Sequence, residues 1–106
     1  MSVRVPIHPG TVLADELAEL GVTPTELARQ IRVPPNRVTQ IINGQRGVTG
    51  DTALRLGHWF GMNPQFWLNL QGAYDIEVAR ASSGLEIQTL PRRPGAQEPG
   101  SDPIVS

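Results

Sequence analysis

The stretch TPTELARQIRVPPNRVTQIINGQR, residues 23–46, reads as two short helices joined by a tight turn. Thr23 can accept from the backbone N–H of Glu26, and Glu26 can reach back to Thr23, a reciprocal arrangement that opens a helix. Pro24 takes the first helical position, where its missing N–H costs nothing. Leu27, Ala28 and Ile31 recur at helical spacing and make one face apolar. Val33-Pro34-Pro35 ends this helix, because a proline disfavours the helical conformation in the residue before it. A second helix opens at Pro35 or Asn36, turns Val38, Ile41 and Ile42 inward, and stops at Asn43-Gly44 in the left-handed conformation. About three residues join the two, the spacing of a helix-turn-helix. The small Ala28 is placed where the helices cross most closely.

The second helix turns Asn36, Arg37, Thr39 and Gln40 outward. These side chains match base edges: Arg pairs with guanine, Asn and Gln with adenine, Thr with a methyl or a phosphate. An ordinary helical hairpin with a solvated polar face has the same spacing, so charge has to separate the readings. The chain holds nine basic residues, all Arg, against ten acids, for a net charge of -1. That balance argues against a nonspecific nucleic-acid binder. Yet residues 27–50 hold no acid while Arg29, Arg32, Arg37 and Arg46 all fall inside. A locally basic stretch centred on the second helix is the footprint phosphate contact requires.

Outward from this pair, residues 1–9 form an extended lead-in, with Val5-Pro6 and His8-Pro9 biased away from helix. Residues 10–20 form an amphipathic helix with Leu13, Leu17 and Leu20 inward, ended by Gly21. His8 stands beside its start as a packing or capping residue, with no second ligand near it to make a metal site. Residues 44–50 are a glycine-punctuated loop carrying Arg46, either a phosphate contact through backbone N–H groups and one Arg or a plain surface loop. As a phosphate contact, Arg46 would support all DNA sequences alike. Thr49 caps a fourth helix, residues 51–60, with Ala53, Leu56 and Phe60 inward and Gly61 as its stop.

Asn63 caps and Pro64 opens a fifth helix running to about Ser82. Its apolar residues spread over more than one face. Phe66, Trp67, Leu70 and Tyr74 are therefore assigned to a homodimer contact, which would present two symmetric half-site readers, in preference to the plainer reading that Trp67 and Tyr74 close a small core. Residues 1–82 make the domain. Residues 83–106 make a tail that stays flexible unless bound: PRRPGAQEPGSDPIVS, residues 91–106, is too poor in apolar groups to fold alone. Residues 85–88 alternate as a strand would, but briefly.

The length suits one domain that can bury a small core without a large ligand cavity. Cysteine is absent, which excludes disulfides and thiolate chemistry. No run is long enough to span a membrane, and the N-terminus leads into no signal-peptide core, so the expected location is cytoplasmic. With two His on separate elements and no nucleophile–base pair, metal-ligand spacing or phosphate-cradling glycine loop, the chain is not expected to be an enzyme, and no metal or cofactor is expected.

The sequence resembles the HigA/VapI-type antitoxins, a branch of the XRE (Cro/C1-type) helix-turn-helix class. The likeness rests on HPG at 8–10, VLADELAELGVTPTELA through Ala28, RVTQIINGQRGVTGDTALRLGHWFG from Arg37 to Gly61, and NPQFWLNLQGAYD from Asn63 to Asp75. The resemblance implies a five-helix all-α domain, a homodimer, and a palindromic operator upstream of its own operon. It also implies a cognate toxin of the HigB/RelE type, a ribonuclease that cleaves mRNA. By position, Asn36, Arg37, Thr39 and Gln40 would read bases, and Thr25, Asn43 and Arg46 would hold phosphates. This chain departs from the pattern at Pro24, where relatives commonly carry a phosphate-holding Gln, and at Arg32, where they usually carry Gly. The charge of Arg32 would replace the phosphate contact that Pro24 removes. Two other readings of the same fold are a stand-alone regulator without a toxin and a toxin-binding module that has lost DNA binding.

Overall fold

His8 opens the first helix with its own ring. In the computed structural model, which describes residues 6–97, the Nδ1 of His8 accepts the N–H of Gly10 at 2.9 Å, and Pro9 follows at the first helical position. The resulting α1, Pro9–Leu20, ends at Gly21 with φ +70°. Gly10 has a packing reason: a methyl there would overlap the carbonyl oxygen of Ile41 and sit 2.8 Å from Ile42 Cα. The HPG string is thus a cap, a helix-compatible proline and a close approach to the third helix. Leu13 and Leu17 point inward as expected, but Leu20 is 55% exposed. As the last residue before the Gly21 turn, it has passed the edge of the core.

Thr23 caps α2, Pro24–Ile31, accepting from the Glu26 N–H at 3.1 Å. The return bond from Glu26 does not form. Its carboxylate goes instead to Arg29 and Gln30, where the guanidinium offers a two-pronged bond between two ionised groups. The helix closes at Arg32 with φ +60°, the N–H of Val33 reaching the carbonyl of Ala28 at 3.0 Å. After the Pro34-Pro35 turn, α3 runs Arg37–Ile42 with Asn36 before its first turn. It stops as glycine allows: Gly44 has φ +74°, and the N–H of Gln45 returns to the Gln40 carbonyl at 2.8 Å.

Thr49 caps α4, Gly50–Phe60, which ends at Gly61 with φ +73°. The last helix, α5, spans Gln65–Gln88, with the Asn63 carboxamide accepting the Gln65 N–H at 2.9 Å. It was expected to stop near Ser82 and continues past it, taking residues 85–88 into the helix rather than an extended strand. Ser82 and Gly84 do not stop it, since Ser82 Oγ returns to the Ala79 carbonyl within the helix. The stop is Thr89, whose hydroxyl donates to the Glu86 carbonyl at 2.7 Å, with Pro91 biasing Leu90 away from helix.

All regular structure among the described residues is helical. α1 and α2 pack on α3 while α4 and α5 pack on each other. They enclose one core holding Leu13, Leu27, Val38, Ile41, Leu56 and Trp67. The expectations for residues 1–5 of the lead-in and 98–106 of the tail lie outside the described residues. Among the described residues, no helix is long and apolar enough to cross a membrane.

Candidate nucleic-acid interface

On α3 the buried side chains are Val38 and Ile41, with Ile42 half-buried beside them. At 100° per residue those positions take one side of a helix, and residues 36, 37, 39, 40 and 43 take the other. The side chains follow that division: Asn36, Thr39 and Asn43 are exposed, and Arg37 and Gln40 half-buried. Thr25 in the first turn of α2, Arg32 in the turn and Arg46 in the following loop are also exposed. The fold therefore keeps all eight expected contact residues on the surface, and links two of them directly. Arg46 Nε donates to Gln40 Oε1 at 3.0 Å.

The four arginines of the acid-free stretch are not equivalent. Arg29 is tied to Glu26, which Gln30 also contacts. The bonds from Arg29 and Gln30 hold the Glu26 carboxyl far below its ordinary 4.5, at about 2, and raise Arg29 in turn. Its charge is compensated locally. Arg32 and Arg37 have no side-chain hydrogen bond or ion pair among the described residues. Arg46 bonds only to neutral Gln40 among the described residues, so the positive field runs from the turn over the start of α3 to the loop after it.

Arg32 occupies the left-handed region as the sole non-glycine residue with positive φ among the described residues. A side chain there costs about 1 kcal/mol. Arg55 from α4 reinforces the turn, its Nη1 donating to the Ile31 carbonyl at 2.8 Å while its Nε pairs with Asp51 at 2.8 Å. A cation on the carbonyls of a helix C-terminus also opposes the negative end of the helix dipole.

Sequence reasoning missed Arg55 and Gln71. The Asp51/Arg55 spacing was visible as an i,i+4 pair, but no local signal directs Arg55 to another helix. Gln71 Oε1 accepts the N–H of Val48 at 2.7 Å and its Nε2 donates to Asp75 at 3.0 Å. It ties the loop that carries Arg46 to α5.

The four residues expected at a dimer contact divide. Trp67 is 1% exposed within the single chain, so it is a core residue and is withdrawn from the interface. It faces the α4 side, with the Phe60 ring 5.7 Å away. Phe66 stays exposed, Leu70 packs partly on the core, and Tyr74 meets the His8 ring edge-on at 4.8 Å. His8 is thus a cap and a packing surface. No cluster of three potential metal-ligating side chains occurs among the described residues.

Residues 13–67 match the helix-turn-helix family profile. The chain is 47% identical over 74 residues to virulence-associated protein I of Dichelobacter nodosus, covering 69% of this chain and 68% of that one. It superposes on an addiction module antidote protein of a HigA family from Coxiella burnetii with TM-score 0.80 and 50% identity, over 84% of this chain and all of that one. A Pseudomonas aeruginosa structure, antitoxin HigA with higBA promoter, gives TM-score 0.81 and 41% identity over 84% of this chain and 98% of the other.

Proposed function

We propose, since the chain belongs to the HigA branch of the helix-turn-helix family, that it is the antitoxin of a toxin–antitoxin pair and represses its own operon. The family is one of DNA-binding regulators and not of enzymes. In this reading α3 enters the major groove. Arg37, Thr39, Gln40 and Asn36 face base edges, while Thr25, Asn43 and Arg46, with Arg32, meet the phosphate backbone. The observation that carries it is the acid-free outer face of α3, with Arg32 just before it and Arg37 on its first turn, neither side chain paired among the described residues. A palindromic operator upstream of the gene would take two copies, joined through α5 with Phe66, Leu70 and Tyr74 as contacts. Exposed Ile76 and Ile87 lie on another side of the same helix. The toxin partner would be an mRNA-cleaving ribonuclease of the HigB/RelE type.

Two experiments test this. Binding to the duplex upstream of the gene should exceed binding to a scrambled duplex and weaken steeply with salt. Equal affinity for both duplexes would refute the base-reading face. Expression of the adjacent open reading frame with an affinity tag should arrest growth, and co-expression of this chain should relieve the arrest and yield a complex. A harmless neighbour that binds nothing would leave a stand-alone regulator.

A further inference from the structure

We infer that Arg46 is a positioning residue for base reading, acting through Gln40 and separately from any phosphate contact of its charge. The inference rests on the DNA-binding reading above.

The geometry begins at the stop of α3. The bonds from Gly44 to Ile41 and from Gln45 to Gln40 fold the chain back over the last turn of the helix. That return brings residue 46 beside residue 40, and Arg46 Nε donates to Gln40 Oε1 at 3.0 Å. The loop is fixed on its far side as well. Val48 is 4% exposed, and its N–H is held by Gln71 of α5 at 2.7 Å. Arg46 therefore projects from a short segment anchored at both ends.

A glutamine carboxamide on a reader helix is ambiguous, because its last torsion is broad and roughly two-fold, presenting either oxygen or NH2. An Arg Nε–H is only a donor, so it selects the oxygen. Gln40 is left with its NH2 group directed outward. That orientation suits a purine edge: the outward NH2 donates to N7 of either purine or to O6 of guanine, while the Oε1 held by Arg46 is turned from the base. It disfavours cytosine, whose major-groove edge offers an N4 donor. Once Arg46 is removed, the amide can turn over and accept from cytosine.

The charge of Arg46 and the direction of its Nε–H can be separated by Arg46→Lys, which keeps the first and loses the second. Enrichment from a randomised duplex pool is compared for wild type, Arg46→Lys, Gln40→Ala and the double variant, each checked for helicity by circular dichroism. Arg46→Lys is expected to keep the salt dependence. It should lose roughly five- to tenfold of the preference against cytosine at the single position Gln40 reads. The double variant should resemble Gln40→Ala. Full retention of the preference by Arg46→Lys, or additive effects of the two changes, overturns the inference. A second readout needs no DNA: the Arg46 ¹⁵Nε–H resonance of the free protein should shift and exchange faster in Gln40→Ala, and an unchanged signal also overturns it. A wild-type chain that enriches no sequence refutes the DNA-binding reading instead, while this NMR arm still decides the pair.

Discussion

The two ends of α5 share one helix and meet opposite surroundings. Near its start, Trp67 is 1% exposed, Gln71 holds the loop after α3, and Tyr74 rests on His8. Near its end, Leu85 is 82% and Ile87 54% exposed. A helix of 24 residues is about 36 Å long, longer than any of the other four. The distal part persists because extending an existing helix needs no new nucleus, so each added residue gains a backbone bond without packing. Helix formation and burial are separate matters, and the distal half of α5 shows the first without the second.

Substitutions ordered by expected effect can break that contrast. Trp67→Ala should cost about 3–5 kcal/mol in urea unfolding. A loss below about 1 kcal/mol, the scale of an average substitution, would remove the proximal half of α5 as the anchor of the fold. Gly10→Ala should cost about 1–3 kcal/mol, because the new methyl must displace the backbone of α3 at Ile41. An unchanged midpoint would mean that α1 and α3 do not approach as closely as described.

Arg32→Gly, in the turn after α2, reverses the sign. Relief of the left-handed strain should raise stability by about 1 kcal/mol in thermal unfolding, and loss of the charge should lower the log–log salt slope of DNA binding by about one unit. At the distal end, Leu85→Ala should leave the unfolding free energy of a dilute protomer within about 0.5 kcal/mol of wild type. A larger loss would show that this end is packed after all.

The smallest effect belongs to the surface network of α2. Folding lowers the Glu26 carboxyl, so its stabilisation is complete above pH 4.5 and fades as pH falls towards about 2. A carboxyl ¹³C titration by NMR checks this: a midpoint near 4.5 would mean that the Arg29 and Gln30 contacts do not hold in solution.

Much of the fold was legible in the sequence because its helix boundaries are written in local chemistry. Thr23, Thr49, Gly21, Gly44 and Gly61 each sit where a cap or a left-handed stop is needed, and each acts so in the structure. The outer face of α3 was legible for the same reason, since periodicity alone separates Val38 and Ile41 from Thr39 and Asn43. The failures share a cause. Glu26 had two possible partners within one helical turn, and local rules favoured the wrong one. Leu20 fitted the apolar period of α1 but lies beyond the neighbours that would cover it. Residues from 83 onward read as tail, whereas the first physical obstacle to continuing the helix is Pro91.

By itself, then, the sequence determined five helices, their caps and stops, and which side of the reader helix is polar. These depend on interactions spanning a few residues. Only the tertiary structure decided that Trp67 closes the core instead of meeting a partner, that Arg55 braces the turn at Arg32, and that Gln71 and Arg46 secure the loop and Gln40. Those contacts join residues that are distant in the chain or separated by a turn, and their geometry exists only once the helices have packed.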